Sequence, residues 1–323
     1  MKFFFSYIFI LLSLLHGLCS HAFAAPGDPL PIRDMYPLTN MHLSTVPHSA
    51  QLLNAGQHGM SSRFLWATTN AIRAPYVIDA ETRELRFGWS YGLSDDREIS
   101  IEWPLVYRGG GTLDSFIESW HDFWGLPNGR RGRVSKDSFE IQGSTKNGEE
   151  FAMHNDGVGS GNTQVSFSQR LFTSLEEKFL LNLEARLSLP TSSSSLGHAG
   201  VDSSLGLTAS LNTPPWYVHI GVAGLRIGDN EISHVRYALW RYETFASIVY
   251  LFEHFSLASS LTYTSEVVTN IAEHPNYTSF LDVGGSIPLS DALALELGIR
   301  EEIVSGNGSQ DIGFLIGLEY RPD

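Results

Sequence analysis

The stretch Trp240-Arg241-Tyr242-Glu243-Thr244-Phe245-Ala246-Ser247-Ile248-Val249-Tyr250-Leu251-Phe252 changes chemistry at every second residue. One set reads Trp240, Tyr242, Thr244, Ala246, Ile248, Tyr250 and Phe252, whereas the other contains Arg241, Glu243 and Ser247. Successive side chains of a strand point to opposite faces, so this pattern predicts a strand with one apolar face bracketed by aromatic rings and one polar face. Its length suits the ~9–11 tilted residues that carry a strand across a bilayer.

The period recurs along the chain. Phe179, Leu181, Leu183, Ala185, Leu187 and Leu189 oppose Asn182, Glu184, Arg186 and Ser188. Val201, Ser203, Leu205, Leu207, Ala209 and Leu211 oppose Asp202, Ser204, Thr208 and Ser210, and Leu293, Leu295, Leu297 and Ile299 oppose Glu296, Gly298 and Arg300. A one-residue slip would move the charges to the apolar side. Twelve strands are predicted near 62–71, 82–93, 97–107, 162–173, 178–190, 200–212, 215–228, 239–252, 255–266, 277–289, 292–302 and 310–320. Short connections alternate with long ones at 72–81, 108–161, 191–199, 229–238, 267–276 and 303–309. The fold class is therefore all-β, a transmembrane antiparallel up-and-down barrel of about twelve strands, with short turns toward the periplasm and long loops outward. The competing architecture is a soluble sandwich or lipocalin-like barrel, whose half-buried sheet also alternates. Aromatics at strand ends, such as Trp103, Tyr107, Trp216, Tyr263, Tyr277 and Tyr320, favour membrane girdles over a core.

The flanking segments agree with that compartment. Lys2 precedes the apolar run FFFSYIFILLSLL and the small residues around Ala22, Phe23 and Ala24, the order of a secretory signal peptide over residues 1–24. The single cysteine, Cys19, lies in that leader behind Leu18, which is too large for a lipoprotein signal, so the mature chain is expected to carry neither lipid nor disulfides. No later run approaches the ~18 apolar residues of a membrane helix. The net charge of −14 argues against a nucleic-acid partner. Expected partners are outer-membrane lipid and lipopolysaccharide, the barrel-assembly machinery and a small solute.

Two segments do not read as wall. Residues 25–60 hold Pro26, Pro29, Pro31, Pro37 and Pro47, which a central strand does not tolerate, so this stretch is either a lumen plug or a periplasmic arm. Arg33 and Asp34 with Leu30, Ile32, Met35 and Leu38 suit a plug. The barrel itself then spans 61–323. In its long outward loop, 108–161, Leu113, Phe116, Ile117, Trp120 and Trp124 recur at helical spacing opposite Asp114, Glu118 and Asp122. This short amphipathic helix is a lid over the pore, with Phe116, Trp120 and Trp124 as lid residues, or lies at the lipopolysaccharide surface. Phe139–Gln142 and Glu150–His154 flank Lys146-Asn147-Gly148, a hairpin signal.

Pro29-Leu30-Pro31-Ile32-Arg33-Asp34 with Tyr36-Pro37-Leu38, then Leu113-Asp114-Ser115-Phe116-Ile117-Glu118 with His121, Phe123, Gly125, Leu126, Pro127 and Gly129, resemble an uncharacterised bacterial outer-membrane family, domain of unknown function 3187. The resemblance covers nearly the whole mature chain and implies no activity, substrate or catalytic residue. The ending Tyr320-Arg321-Pro322-Asp323 departs from the terminal aromatic that many outer-membrane barrels present for assembly.

Chemistry should reside in the lumen. Alternation turns Glu84, Arg86, Glu98, Glu102, Glu184, Arg186, Asp202, His219, Arg241, Glu243, Asp282, Glu296, Arg300, Asp311 and Glu319 inward. They form either a network of neutralising pairs, the favoured reading for so narrow a barrel, or a selectivity ring for cations or polar solutes. The pairs His42 with Ser44 and His48 with Ser49 are too weakly placed to mark a nucleophile, and no catalytic residue is assigned. His48, His58, His121, His154, His198, His219, His234, His254 and His274 are dispersed without a metal-ligand interval, so neither a metal nor a cofactor is expected. Gly157, Gly159 and Gly161 lack the strand-to-helix setting of a phosphate loop. A passive or gated solute channel leads; a membrane-embedded lipid or lipopolysaccharide hydrolase and a noncatalytic envelope scaffold are the alternatives.

Overall fold

The computed structural model describes residues 27–125, 135–154, 157–192, 196–303 and 309–322. The signal-peptide reading of residues 1–24 lies outside them. In chain order the elements are β1 (His58–Arg73), β2 (Tyr76–Ser94), β3 (Arg97–Gly109), α1 (Asp114–Trp124), β4 (Glu140–Ser144), β5 (Glu150–Met153), β6 (Gly157–Ser160), β7 (Thr163–Thr173), β8 (Phe179–Leu189) and β9 (Asp202–Thr213). They continue with β10 (Trp216–Arg226), β11 (Glu231–Ile232), β12 (Val235–Arg236), β13 (Trp240–Leu251), β14 (Ser256–Ser265), β15 (Tyr277–Pro288), β16 (Leu293–Glu302) and β17 (Ile312–Tyr320).

Twelve of these strands pair each with its neighbour in sequence, all antiparallel, and β17 returns to β1 from Met60↔Tyr320 to Thr68↔Ile312. The sheet is thus a closed barrel, in which each wall strand finds its ladder partners on both sides. Connections such as 95–96, 214–215 and 252–255 define a turn end, and the long loops define the opposite, loop end.

One connection departs from the expected alternation. The ladder between β1 and β2 runs unbroken to Arg73↔Tyr76, so the loop predicted at 72–81 is a turn of two residues, Ala74-Pro75. The ribbon projects beyond the neighbouring strands because the predicted hairpin, β4 with β5, adds to it through Ile78↔Ile141 and Ile141↔Met153. Tyr76, Ile78, Ile141, Phe151 and Met153 bury one another there, with Tyr36 of the N-terminal segment.

The outer wall is apolar. Leu205, Leu207, Ile220, Val222, Ile248, Leu261, Val283, Leu297 and Ile316 are all exposed on it. Aromatic rings border this band at both ends. Trp216, Tyr250, Phe252 and Phe255 are in sequential contact at the turn end, with centroids 4.5, 4.6 and 4.5 Å apart. Tyr242, Tyr263 and Tyr277 stack across three strands at the loop end. Eight residues separate Tyr242 from Tyr250, which at ~3.3 Å per residue and a tilt near ~40° gives a band roughly 20 Å high. Water does not tolerate so continuous an apolar surface, whereas a bilayer requires one.

Helix α1 begins where Glu81 accepts hydrogen bonds from the amides of Thr112 and Leu113 (2.7 and 3.1 Å), an anionic partner for its positive end. Leu113, just before it, and Ile117 are buried and pack on Ile312, Trp66 and Phe314, and Phe116 meets Phe314 edge-on at 6.0 Å. Those three wall residues point outward. The helix therefore lies against the outside of the barrel at the β1–β17 seam, so Phe116, expected in a lid, instead meets the outer wall, where apolar surface rather than the mouth offers the area that the stripe buries. The side chains of Trp120 and Trp124 lie outside the described residues.

An Ile220→Arg barrel should separate membrane from soluble architectures. Ile220 is 59% exposed and stands opposite Ala246, midway along the apolar band. In lipid vesicles we expect a loss of ~2–4 kcal/mol in folding free energy. Little change in the urea unfolding midpoint would contradict a lipid-facing wall.

Candidate functional site

The N-terminal segment lies against the inward side chains of the wall. Its prolines prevent a β ladder, so its buried amides and carbonyls find partners in its own turns or among wall side chains. At the turn end Asp28 pairs with Arg321 at 2.8 Å, and the Gly27 carbonyl accepts from His219 Nε2 at 2.7 Å. The chain then climbs to a tight turn at Tyr36–Asn40, where Arg108 donates to Asn40 Oδ1 at 2.7 Å. On the way back the amides of Leu43, Ala50 and Leu53 donate to Asp202, Ser210 and Glu98 at 2.8, 2.7 and 2.9 Å. The amide of Thr45 donates to Glu243, and Arg241 and Asn182 donate to the carbonyls of Leu43 and Ala50 at 2.6 and 2.7 Å.

Apolar contacts supplement this lattice. Leu30, Ile32 and Met35 of the plug are buried with Leu65, Tyr217, Val249 and Leu315 of the wall. Gly284 and Gly298, cross-strand partners, open the groove that receives them. A Cβ at Gly298 would stand 2.8 Å from both Leu30 Cδ1 and Ile32 Cδ1, and one at Gly284 2.6 Å from Leu30 Cδ1.

Many of the inward residues named from alternation contact the plug or one another. Arg86 bridges Glu84 and Glu102 at 2.8 and 2.9 Å, Arg186 pairs with Glu184 at 2.7 Å, and Arg300 with Asp282 at 2.6 Å. Glu296 pairs with Arg63 at 2.7 Å, and Arg33 of the plug approaches Glu84 at 3.7 Å. The arrangement is the neutralising network, since a buried carboxylate without a cation or donor would carry a large desolvation cost. Arg63 escaped the sequence reading, although it alternates with Phe64 as regularly as the others. Toward the turn end a polar cavity of about 180 Å³ remains, lined among others by His48, Glu98, Glu102, Glu184, Arg186 and Glu319.

Near the loop end three residues distant in sequence converge. His198 Nε2 lies 3.0 Å and His42 Nδ1 3.4 Å from the same oxygen of Asp202, and all three side chains are buried. Burial lowers the His42 pKa to about 4 against the opposing pull of Asp202, so its ring is neutral. His42 thus meets an acid and a second imidazole. The hydroxyl of Ser44 is buried without a hydrogen-bond partner. His48 contacts Thr208 at 2.8 Å through Nε2 and the Val46 carbonyl at 2.9 Å through Nδ1. His219 and Ser210 touch at 2.7 Å, yet His219 Nε2 is engaged by Gly27 and the hydroxyl by the Ala50 amide, which makes them plug anchors. His198 could not be assigned from sequence because no interval ties it to His42.

Two substitutions test this assembly. In Gly298→Val the new side chain collides with Leu30 and Ile32; we expect the plug to become sensitive to added protease while the barrel keeps its heat-dependent electrophoretic shift, and an unchanged cleavage rate would contradict the packing. His274, in the 266–276 connection, is buried between Tyr36 and Tyr76 at 6.0 and 6.3 Å, and burial lowers its pKa to about 4. The unfolded chain takes up that proton near pH ~6.5. Stability should therefore fall as pH drops from ~6.5 to ~4, by at most ~3 kcal/mol from this residue. His274→Gln should flatten the acid limb of the unfolding midpoint, and equal slopes in both proteins would exclude the assignment.

The sequence matches the family model described as "Protein of unknown function (DUF3187)" over residues 6–321. The chain belongs to that family. No curated protein matches it in sequence. Among solved structures it is similar to the NanC porin, at 11% identity and a TM-score of 0.50, covering 81% of this chain and 99% of that one. It is also similar to the KdgM porin in complex with disordered oligogalacturonate, at 11% identity and TM-score 0.45 over 82% and 99% of the two chains. The toluene transporter TodX of P. putida follows at 10% identity and TM-score 0.41, with coverages of 89% and 93%. The first of these likenesses concerns the fold, a twelve-stranded porin-like barrel.

Proposed function

We propose that this DUF3187 protein is an outer-membrane channel for small polar solutes, gated by its own N-terminal segment and closed in the conformation described above. The turn end then faces the periplasm and the loop end the exterior. The observation that supports this reading is the polarity of the plug–wall contact. Asp202, Glu243, Ser210, Glu98 and Arg241 hold the plug through its backbone, groups that water can satisfy once the segment leaves. A barrel serving only as an anchor has no use for so polar an interior, since an apolar filling avoids the desolvation cost. Freed of the plug, the wall becomes a hydrated passage lined by Glu, Arg, Ser and Thr. The hydrolase alternative loses ground because neither His–Ser pair is assembled.

Conductance in planar bilayers tests the proposal. The native protein should show rare openings, and a barrel lacking residues 27–52 should conduct persistently. With no native cysteine beyond Cys19, Ala50→Cys combined with Ser210→Cys, whose positions are in hydrogen-bond contact, should close the channel when oxidised and release it on reduction. A folded, plug-deleted barrel that passes no current would refute the channel.

A further inference from the structure

The cluster of His42, His198 and Asp202 bears on binding independently of any conduction. Their ligand-type atoms, one imidazole nitrogen from each histidine and a carboxylate oxygen, all lie within 4.8 Å of one another. The pairwise distances to the shared carboxylate oxygen are 3.4 Å from His42 and 3.0 Å from His198. Ligands bonded to one ion at ~2.1 Å stand about 3.4 Å apart in a tetrahedron and about 3.0 Å apart in an octahedron. Both distances to the carboxylate oxygen fall in that range.

A hydrogen-bonded His–Asp–His chain accounts for less. Both nitrogens of His42 and the Nδ1 of His198 are buried without a hydrogen-bond partner, and the 3.4 Å contact is too long to count as one. Such orphaned polar atoms are costly in a dry interior. The carboxylate is meanwhile held as metal-binding carboxylates are: the Gly228 amide donates to one oxygen at 2.9 Å and the Leu43 amide to the other at 2.8 Å, which aims it at the histidines. The ring of Tyr237 packs on His42 at 4.3 Å and helps exclude water.

We infer that His42, His198 and Asp202 form a binding site for one divalent first-row transition metal ion of the zinc class. Two imidazoles and a carboxylate match that class, whereas calcium or magnesium would require an oxygen-rich shell. The ligands come from the plug, the connection before β9 and the first residue of β9, so the ion ties the plug to the wall near the loop end.

The test uses the untagged, full barrel in detergent, stripped with chelator, equilibrated with zinc and desalted before elemental analysis. Retention of one zinc per chain is expected. His42→Gln and His198→Gln, which keep size and polarity, should each weaken retention at least ~10-fold, while His274→Gln, at a buried histidine of the 266–276 connection, should retain the ion. No retention by the native chain, or equal retention by both ligand variants, would overturn the site. Should the variants fail to show the heat-dependent shift of a folded barrel, X-ray absorption of the zinc-loaded native protein decides: two imidazoles at about 2.0–2.1 Å support the assignment, and their absence removes it.

Discussion

Backbone pairing is the constraint on which this structure depends. A strand facing lipid on one side and a narrow lumen on the other has no water to satisfy its amides, so the sheet closes between β1 and β17. Once closed, the wall fixes which side chains face in, and its radius leaves an interior that an extended segment can fill. The plug inherits the same requirement. It cannot form a ladder through its prolines, so its backbone groups are answered partly by its own turns and partly by side chains of the wall.

That answer determines the chemistry of the interior. Carboxylates such as Asp202, Glu243 and Glu98 accept from the plug, while Arg63, Arg86, Arg186 and Arg300 neutralise the rest. Paired charges therefore line much of the lumen. The glycine pair Gly284 and Gly298 provides relief on the one side where the plug turns its leucine and isoleucine toward the wall. The outer surface follows a different rule, with aromatic borders enclosing an aliphatic band, and α1 finds its apolar contact there.

The barrel was legible because period two is a local property: Trp240 to Phe252 displays both faces and both borders within thirteen residues, and the other wall strands repeat it. The inward charges were readable for the same reason. The hairpin at Lys146-Asn147-Gly148 was likewise local, since its turn chemistry lies in adjacent residues. The extended β1–β2 ribbon was not, because its outer half gains stability from pairing with β4, far along the chain. Helix α1 was visible as an amphipathic stripe, but the stripe does not say which apolar surface receives it.

By itself the sequence determined the alternation, the strand number, the proline-barred ladder of the N-terminal segment and the inward placement of the charges, all consequences of side-chain direction and backbone geometry over a few residues. Only the tertiary structure decided that the segment enters the lumen, that α1 lies outside, and that His42 meets His198 and Asp202 across more than 150 positions of chain. Those outcomes depend on closure. A ring of strands brings distant residues to one depth of one narrow lumen, and no local pattern records which of them will share it.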